Sequence, residues 1–168
     1  LHRDAARVAV EEALARSHYE NFPVASCLLP SAMRPHIAAV YAFARVADDI
    51  ADEGIVAPAE RRQQLGRWRE RLRAAVDAAN GHGPADSRDD LILAALAHSI
   101  RSLELPISLF DDLVSAFGQD TTTTRYASWR DVMDYCRRSA NPIGRLVLRI
   151  ADASSGGAYR NGRLDDSS

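Results

Sequence analysis

Asp48-Asp49-Ile50-Ala51-Asp52-Glu53 sets four carboxylates within six residues, directly behind an apolar run with helical spacing. A helix carries roughly half a negative charge at its C-terminal end, so each acidic side chain there costs about 0.3–1 kcal/mol. The pairs Asp48/Asp52 and Asp49/Glu53, each four apart, add like-charge repulsion. Charge so placed calls for a cation from outside the chain. Oxygen ligands suit Mg²⁺, which keeps several waters and takes one or two carboxylates plus the phosphate oxygens of a substrate. Asp48, Asp49 and Asp52 are therefore candidate metal ligands. The competing reading is a solvated acidic helix end that holds nothing.

Steps of four, three and four residues lead from Tyr41 to Arg45, Asp48 and Asp52, and at about 100° per residue these side chains share one helix face. Ile37 and Val40 lie close to the same stripe. The expectation is an inward-facing carboxylate pair at the mouth of an apolar cavity, with a guanidinium one turn behind it. Arg45 offers a fork of donors suited to phosphate oxygens.

The elements that must position these groups are all helical, because the helical period recurs along the chain and no stretch alternates between hairpin turns. A first helix is expected at about Asp4 to Ser17, then an irregular segment, His18 to Pro30. Ser31 caps the acidic-ended helix, Pro35 sits in its first turn and Gly54 closes it. Pro58 to Asn80 reads as an outer helix with Leu65, Trp68, Leu72 and Val76 facing inward. After a loop at Gly81 to Ser87, Asp89 and Asp90 open a helix that runs to about Glu104. Another spans Ile107 to Phe117 and stops at Gly118, with Thr121 to Thr124 as connector. Ser128 and Asp131 begin a last long helix with the stripe Val132, Tyr135, Cys136, Ser139, Ile143, Leu146 and Ile150, kinked at Pro142. Residues 151–168 read as a flexible end.

The chain's 168 residues, 46% of them hydrophobic, suffice for one domain with a core. A net charge of −2 without a basic stripe argues against a nucleic-acid partner. All basic side chains other than histidine are Arg, since the chain has no Lys. Cys27 and Cys136 lack metal-ligand spacing and read as buried apolar thiols. A cysteine-nucleophile enzyme is a competing reading that the sequence disfavours, because neither thiol lies in an electropositive loop. No apolar run reaches the length of a membrane span, and the chain reads as cytosolic.

The run Tyr41-Ala42-Phe43-Ala44-Arg45-Val46-Ala47-Asp48-Asp49-Ile50-Ala51-Asp52 resembles the first aspartate-rich motif of the squalene/phytoene synthase family, which joins or rearranges prenyl diphosphates head to head. Arg125-Tyr126 followed by Tyr135-Cys136-Arg137-Arg138-Ser139-Ala140-Asn141-Pro142-Ile143-Gly144 is similar to that family's second conserved helix. His18 to Ser26, running into Leu28-Leu29-Pro30, resembles its diphosphate-contacting leading segment. Asn21-Phe22-Pro23-Val24 and Arg138-Ser139-Ala140-Asn141-Pro142 look like the hydroxysqualene synthase branch of bacterial hopanoid pathways. The resemblance runs from about His18 to Ile150 and implies the N-terminal part of an isoprenoid-synthase-type helical bundle, a single incomplete domain over 1–168. The family's second aspartate-rich helix is not present, and Asp165-Asp166 lacks its apolar surroundings. Half a metal site is the expectation for this polypeptide.

What the resemblance implies chemically is Mg²⁺-dependent conversion of presqualene diphosphate to hydroxysqualene with release of diphosphate. Alternatives are head-to-head condensation of prenyl diphosphates and a non-catalytic assembly module of the same superfamily. Asp48, Asp49 and Asp52 would hold the metal, and Arg45 and Tyr135 would act at the leaving group. His18, Asn21, Phe22, Tyr41, Arg45, Arg138 and Asn141 would bind substrate. Phe22, Val40, Ile143 and Val147 would line a dry cavity. Each has a plainer reading: His18 as a helix-end residue, Tyr135 as core, Asn141 as a turn residue before proline. Asp89-Asp90 and Asp111-Asp112, at helix starts, read as structural. A greasy substrate further implies contact at a membrane surface, and other enzymes of squalene and hopanoid synthesis as partners.

Overall fold

A computed structural model describes residues 29–52, 56–78, 87–123 and 125–155. All of its regular structure is helical: α1 (Arg34–Asp52), α2 (Pro58–Asp77), α3 (Arg88–Leu103), α4 (Ser108–Asp120), α5 (Trp129–Arg138) and α6 (Ala140–Ser154). The expected first helix, Gly54, most of the 81–87 loop and residues 156–168 lie outside the described residues.

Helix α1 packs against α2, α3 and α4, and α2 packs on both α3 and α4, while α6 closes one side and α5 rests on α4 and α6. The core is built on the α1 stripe Ala39, Phe43, Ala47 and Ala51, all but inaccessible to solvent. Three small residues at this four-residue spacing let neighbouring helices approach closely around one large ring. Phe43 stacks on Trp68 of α2 with ring centroids 5.4 Å apart and meets Phe110 of α4 edge-on at 5.6 Å. The Trp68 indole N–H donates to the Phe43 carbonyl at 3.3 Å, satisfying its polar atom inside the core. Leu65 and Leu72 join Trp68 in the core as expected, whereas Val76 is half-buried.

Several boundaries differ from the expected ones, each for a physical reason. Helix α1 starts at Arg34, after a turn closed by the Met33 N–H on the Pro30 carbonyl, so Ser31 is not its cap. Helix α2 ends at Asp77 rather than Asn80. Ser87 caps α3, accepting from the Asp90 N–H. Helix α4 does not stop at Gly118 but continues to Asp120, because a helical glycine costs only about 1 kcal/mol in propensity, which does not by itself end a helix. The expected long last helix is two helices, broken at Ser139 three residues before Pro142. Pro142 cannot donate to the preceding turn, but in the first turn of a new helix no such donor is needed. Its α6 continues to Ser154, so 151–154 are helical rather than part of a flexible end.

The predicted stripe of the last helix is only partly buried. Leu146 and Ile150 are in the core, while Val132, Tyr135, Cys136, Ser139 and Ile143 are half-buried, and no residue of α5 is buried. Cys136 is thus a half-exposed free thiol rather than a core one, and Cys27 lies outside the described residues.

Candidate functional site

The carboxylates stand on α1, but not on its core side. Counting 100° per residue, the mean direction of Tyr41, Arg45, Asp48 and Asp52 lies about 150° around the helix from the Ala39-Phe43-Ala47-Ala51 stripe. Tyr41, Arg45 and Asp48 are half-buried and Asp52 is exposed. The expected inward-facing pair is thus, among the described residues, a half-open face opposite the core. Val40 is packed in the core instead of lining a cavity, while Ile143 and Val147 are half-buried against it.

Arg45 bridges two carboxylates of its own helix. One nitrogen lies 2.7 Å from Asp48 Oδ2 and another 2.7 Å from Asp49 Oδ1, at spacings of three and four residues. Even so, the Asp48 carboxyl is held above its ordinary pKa. Burial is the main cause, opposed by Arg45 and reinforced by the neighbouring charges of Asp52 and Asp49. The guanidinium of Arg45 does not offset the burial of the Asp48 carboxyl. The residual negative charge and the oxygen donor set fit Mg²⁺, which one or two carboxylates suffice to anchor. Among the described residues no three histidine, cysteine or acidic side chains are grouped closely enough to hold a metal ion by themselves. Asp48 and Asp52, four apart on one face, would share a metal with water and phosphate oxygens, and Asp49 is engaged by Arg45.

Sequence reasoning missed Asp120. The continuation of α4 past Gly118 carries it to the end of the stripe Leu109, Leu113 and Ala116, again by steps of four, three and four. There it accepts a 2.7 Å hydrogen bond from the Tyr135 hydroxyl of α5. Burial raises the pKa of Asp120, the Tyr135 bond opposes that rise, and the charges of Asp52 and Asp48 add to it. Three helices thus bring Asp48, Asp52, Asp120 and Tyr135 within electrostatic reach of one another. The signal is the α4 stripe itself, which a stop at Gly118 would cut short of Asp120.

Tyr135 also contacts Tyr126, with ring centroids 5.4 Å apart. Its hydroxyl is pushed well above the usual tyrosine range, by burial first and by its bond to Asp120 second. Arg138 turns to the other side of α4. It donates to Gln119 Oε1 at 2.7 Å and to Asp134 Oδ2 at 2.8 Å. It also borders a cleft of about 480 Å³ between α2 and α4 with Arg62, Arg69, Gly66 and Gly118. Asn141 is exposed at the start of α6. His18, Asn21 and Phe22 lie outside the described residues.

The arrangement can hold a divalent cation at a half-open carboxylate face, with a guanidinium and a tyrosine hydroxyl from two helices nearby. Comparison with known proteins points the same way. The family model for squalene/phytoene synthase matches residues 15–164. Hydroxysqualene synthases from Zymomonas mobilis and Sinorhizobium fredii are 40% and 37% identical to the chain over 134 and 136 residues. Those matches cover 78% and 81% of this chain but 41% and 43% of the relatives. A phytoene synthase from Mycobacterium tuberculosis is 32% identical over 141 residues, covering 84% of this chain and 43% of that protein. The crystal structure of squalene synthase HpnC from Alicyclobacillus acidocaldarius superposes with a TM-score of 0.72 at 37% identity, covering 87% of this chain and 52% of that one. The chain spans about half the length of the relatives it matches. With motifs, helices and comparisons in agreement, the chain belongs to the squalene/phytoene synthase family.

Proposed function

We propose that the whole protein carrying this chain converts presqualene diphosphate to hydroxysqualene and diphosphate in a Mg²⁺-dependent reaction. The observation that carries this reading is the carboxylate face of α1, where Asp48 keeps a raised pKa despite its 2.7 Å bond to Arg45. Similarity to two hydroxysqualene synthases supports the choice of reaction within the family.

In this reading the substrate's C–O bond breaks with the electron pair leaving on diphosphate, the cation rearranges, and water adds to carbon with loss of a proton. Mg²⁺, when bound, supplies charge stabilisation of the departing diphosphate. Asp48 and Asp52 would hold it, and Asp49 fixes Arg45 from behind. Arg45 meets phosphate oxygens, where charge develops as the bond breaks. Tyr135 meets the reacting end of the substrate. Ile143 and Val147 exclude water around the prenyl chain, with Phe22 from the leading segment. His18, Asn21, Tyr41, Arg138 and Asn141 complete the substrate contacts. A greasy substrate is met at a membrane surface, from the cytoplasmic side, with other enzymes of squalene and hopanoid synthesis as partners. No helix among the described residues is long and apolar enough to cross the membrane.

The test is incubation of the whole protein with presqualene diphosphate, with and without Mg²⁺. Hydroxysqualene and diphosphate are expected only with the metal. No turnover in either condition refutes the assignment, and condensation of two farnesyl diphosphates instead moves the protein to the family's condensing reaction.

A further inference from the structure

The Tyr135 hydroxyl has one proton to give, and it gives it to Asp120 at 2.7 Å. The acceptor comes from the last residue of α4, the donor from the middle of α5, and the bond spans the point where those helices meet. The Tyr135 ring has little freedom to turn away, since Tyr126 lies against it at 5.4 Å. Tyr126 is in turn met by Gln119, the neighbour of Asp120, at 3.5 Å, and Gln119 is held at 2.7 Å by Arg138. Asp120 meanwhile faces the charges of Asp48 and Asp52 across the α1–α4 contact. A carboxylate beside two others is an unfavourable neighbour unless something ties it down, and the hydroxyl does so.

From this geometry we infer that Asp120 is a positioning residue of the site. By taking the Tyr135 proton it turns the lone pairs of the hydroxyl oxygen, and not its proton, toward a ligand beside Asp48 and Asp52. An oxygen so turned is electron-rich toward a substrate carbon that becomes cationic, and it is a poor donor to the departing diphosphate. The anion is then left to Arg45 and the metal, and the cation to Tyr135. The inference rests on the proposed function and assigns the two halves of the ionising bond to different residues.

The test compares Tyr135→Phe, Asp120→Asn, Asp120→Ala and the Tyr135→Phe/Asp120→Ala double variant in the whole protein, with presqualene diphosphate as substrate. Each of Tyr135→Phe and Asp120→Ala is expected to lower kcat by about 100-fold, as loss of one preorganised group does. KM and the inhibition constant of inorganic diphosphate stay unchanged, and the double variant is no worse than Tyr135→Phe, because the two act as one unit. Losses that multiply in the double variant overturn the inference. So does an Asp120→Ala protein with lower melting temperature but unaltered kcat, which is what a merely structural carboxylate gives. A Tyr135→Phe protein in which diphosphate inhibition weakens tenfold while kcat stands also overturns it, since the hydroxyl would then be donating to the anion. Where Asp120→Ala does not fold, Asp120→Leu, which keeps the side-chain shape and has no acceptor, takes its place in the same comparison.

A second readout needs no activity. Tyrosine ionisation is followed by absorbance, and subtraction of the Tyr135→Phe curve isolates Tyr135. Asp120→Asn should move that curve down by about one pH unit or more, and an unmoved curve overturns the inference. A protein inert toward presqualene diphosphate that shows the shift refutes the proposed function and leaves the pair standing. An active protein with neither shift nor loss of kcat refutes the pair alone.

Discussion

Arg61, four residues into α2, donates from Nη1 to the carbonyl of Ala51 in the last turn of α1 at 2.7 Å. The end of a helix with two aspartates and no basic residue in its last turn thus receives a further cation from the next helix. The bond satisfies one of the carbonyls left open at a helix end and sets a positive charge against the negative end of the dipole. Replacing Arg61 by Ala should destabilise the chain by about 1 kcal/mol, a figure near the upper range for charge at a helix terminus. Urea unfolding of the two proteins measures it, and equal midpoints would mean that the contact contributes nothing.

Asp48→Asn should separate stability from function. The Asp48 carboxyl is raised in pKa by burial and by Asp52 and Asp49, so its charged form is disfavoured in the fold. A carboxyl with a raised folded pKa contributes stability at low pH that is lost as pH rises through that pKa. The neutral amide should therefore stabilise the metal-free chain at pH 7, by only about a few tenths of a kcal/mol because the site is half-exposed and screened. In the whole protein the same change should lower turnover by on the order of 100-fold or more. Thermal melting from pH 4 to 8 and a turnover assay check the two halves, and a destabilised but active variant contradicts both.

Glu104 ends α3 in the left-handed region at φ 50°, the only positive φ at a non-glycine among the described residues. The Glu104 N–H donates to Ile100 and that of Leu105 to the same carbonyl, and Pro106 then prevents continuation. A side chain in this conformation costs roughly 1–2 kcal/mol. Glu104→Gly should raise stability by about 0.5–1 kcal/mol, net of the greater freedom glycine has when unfolded. A lower denaturation midpoint in the glycine variant would show that the Glu104 side chain supplies something the backbone geometry does not.

His36 on α1 meets the buried Ser99 of α3, with Nδ1 2.9 Å from its hydroxyl. Ser99 already donates to the Ala95 carbonyl, so it accepts from the imidazole. Burial, and then the nearby His98, hold His36 below its usual 6.5. The unfolded chain binds this proton first, so His36 contributes stability that is complete above about pH 6.5 and is lost as pH falls toward its lowered folded value. His36→Gln should flatten that decline. Unfolding free energies at pH 7.5, 6.5 and 5.5 measure it, and parallel curves for the two proteins would exclude His36 as the source.

Local chemistry made most of the helices legible. Ser128 before Asp131 places a cap that the structure reproduces with its hydrogen bond, whereas Ser87, read as the end of a loop, proves to cap the helix that Asp89 and Asp90 open. Leu65, Trp68 and Leu72 declare an inward face by spacing alone. Gly118 and Pro142 misled, because both are read as interruptions while their effect depends on context. With no neighbour within 4 Å of where its Cβ would stand, Gly118 is simply a permissive helical residue. Pro142 fell in the first turn of a new helix, where it is tolerated, and the break moved back to Ser139.

By itself the sequence determined the residue types and the one-dimensional spacing that set Tyr41, Arg45, Asp48 and Asp52 on one helix face, and with them the family. Period and composition carry that information because a helix converts spacing into direction. Tertiary structure alone decided which way that face looks, turning it about 150° from the core stripe. Packing also decided that Arg45 is shared between Asp48 and Asp49, and that Asp120, 68 residues beyond Asp52, feels the charges of Asp48 and Asp52 while bonded to Tyr135. Contacts between distant segments follow from how whole apolar faces satisfy one another, and no local pattern records that choice.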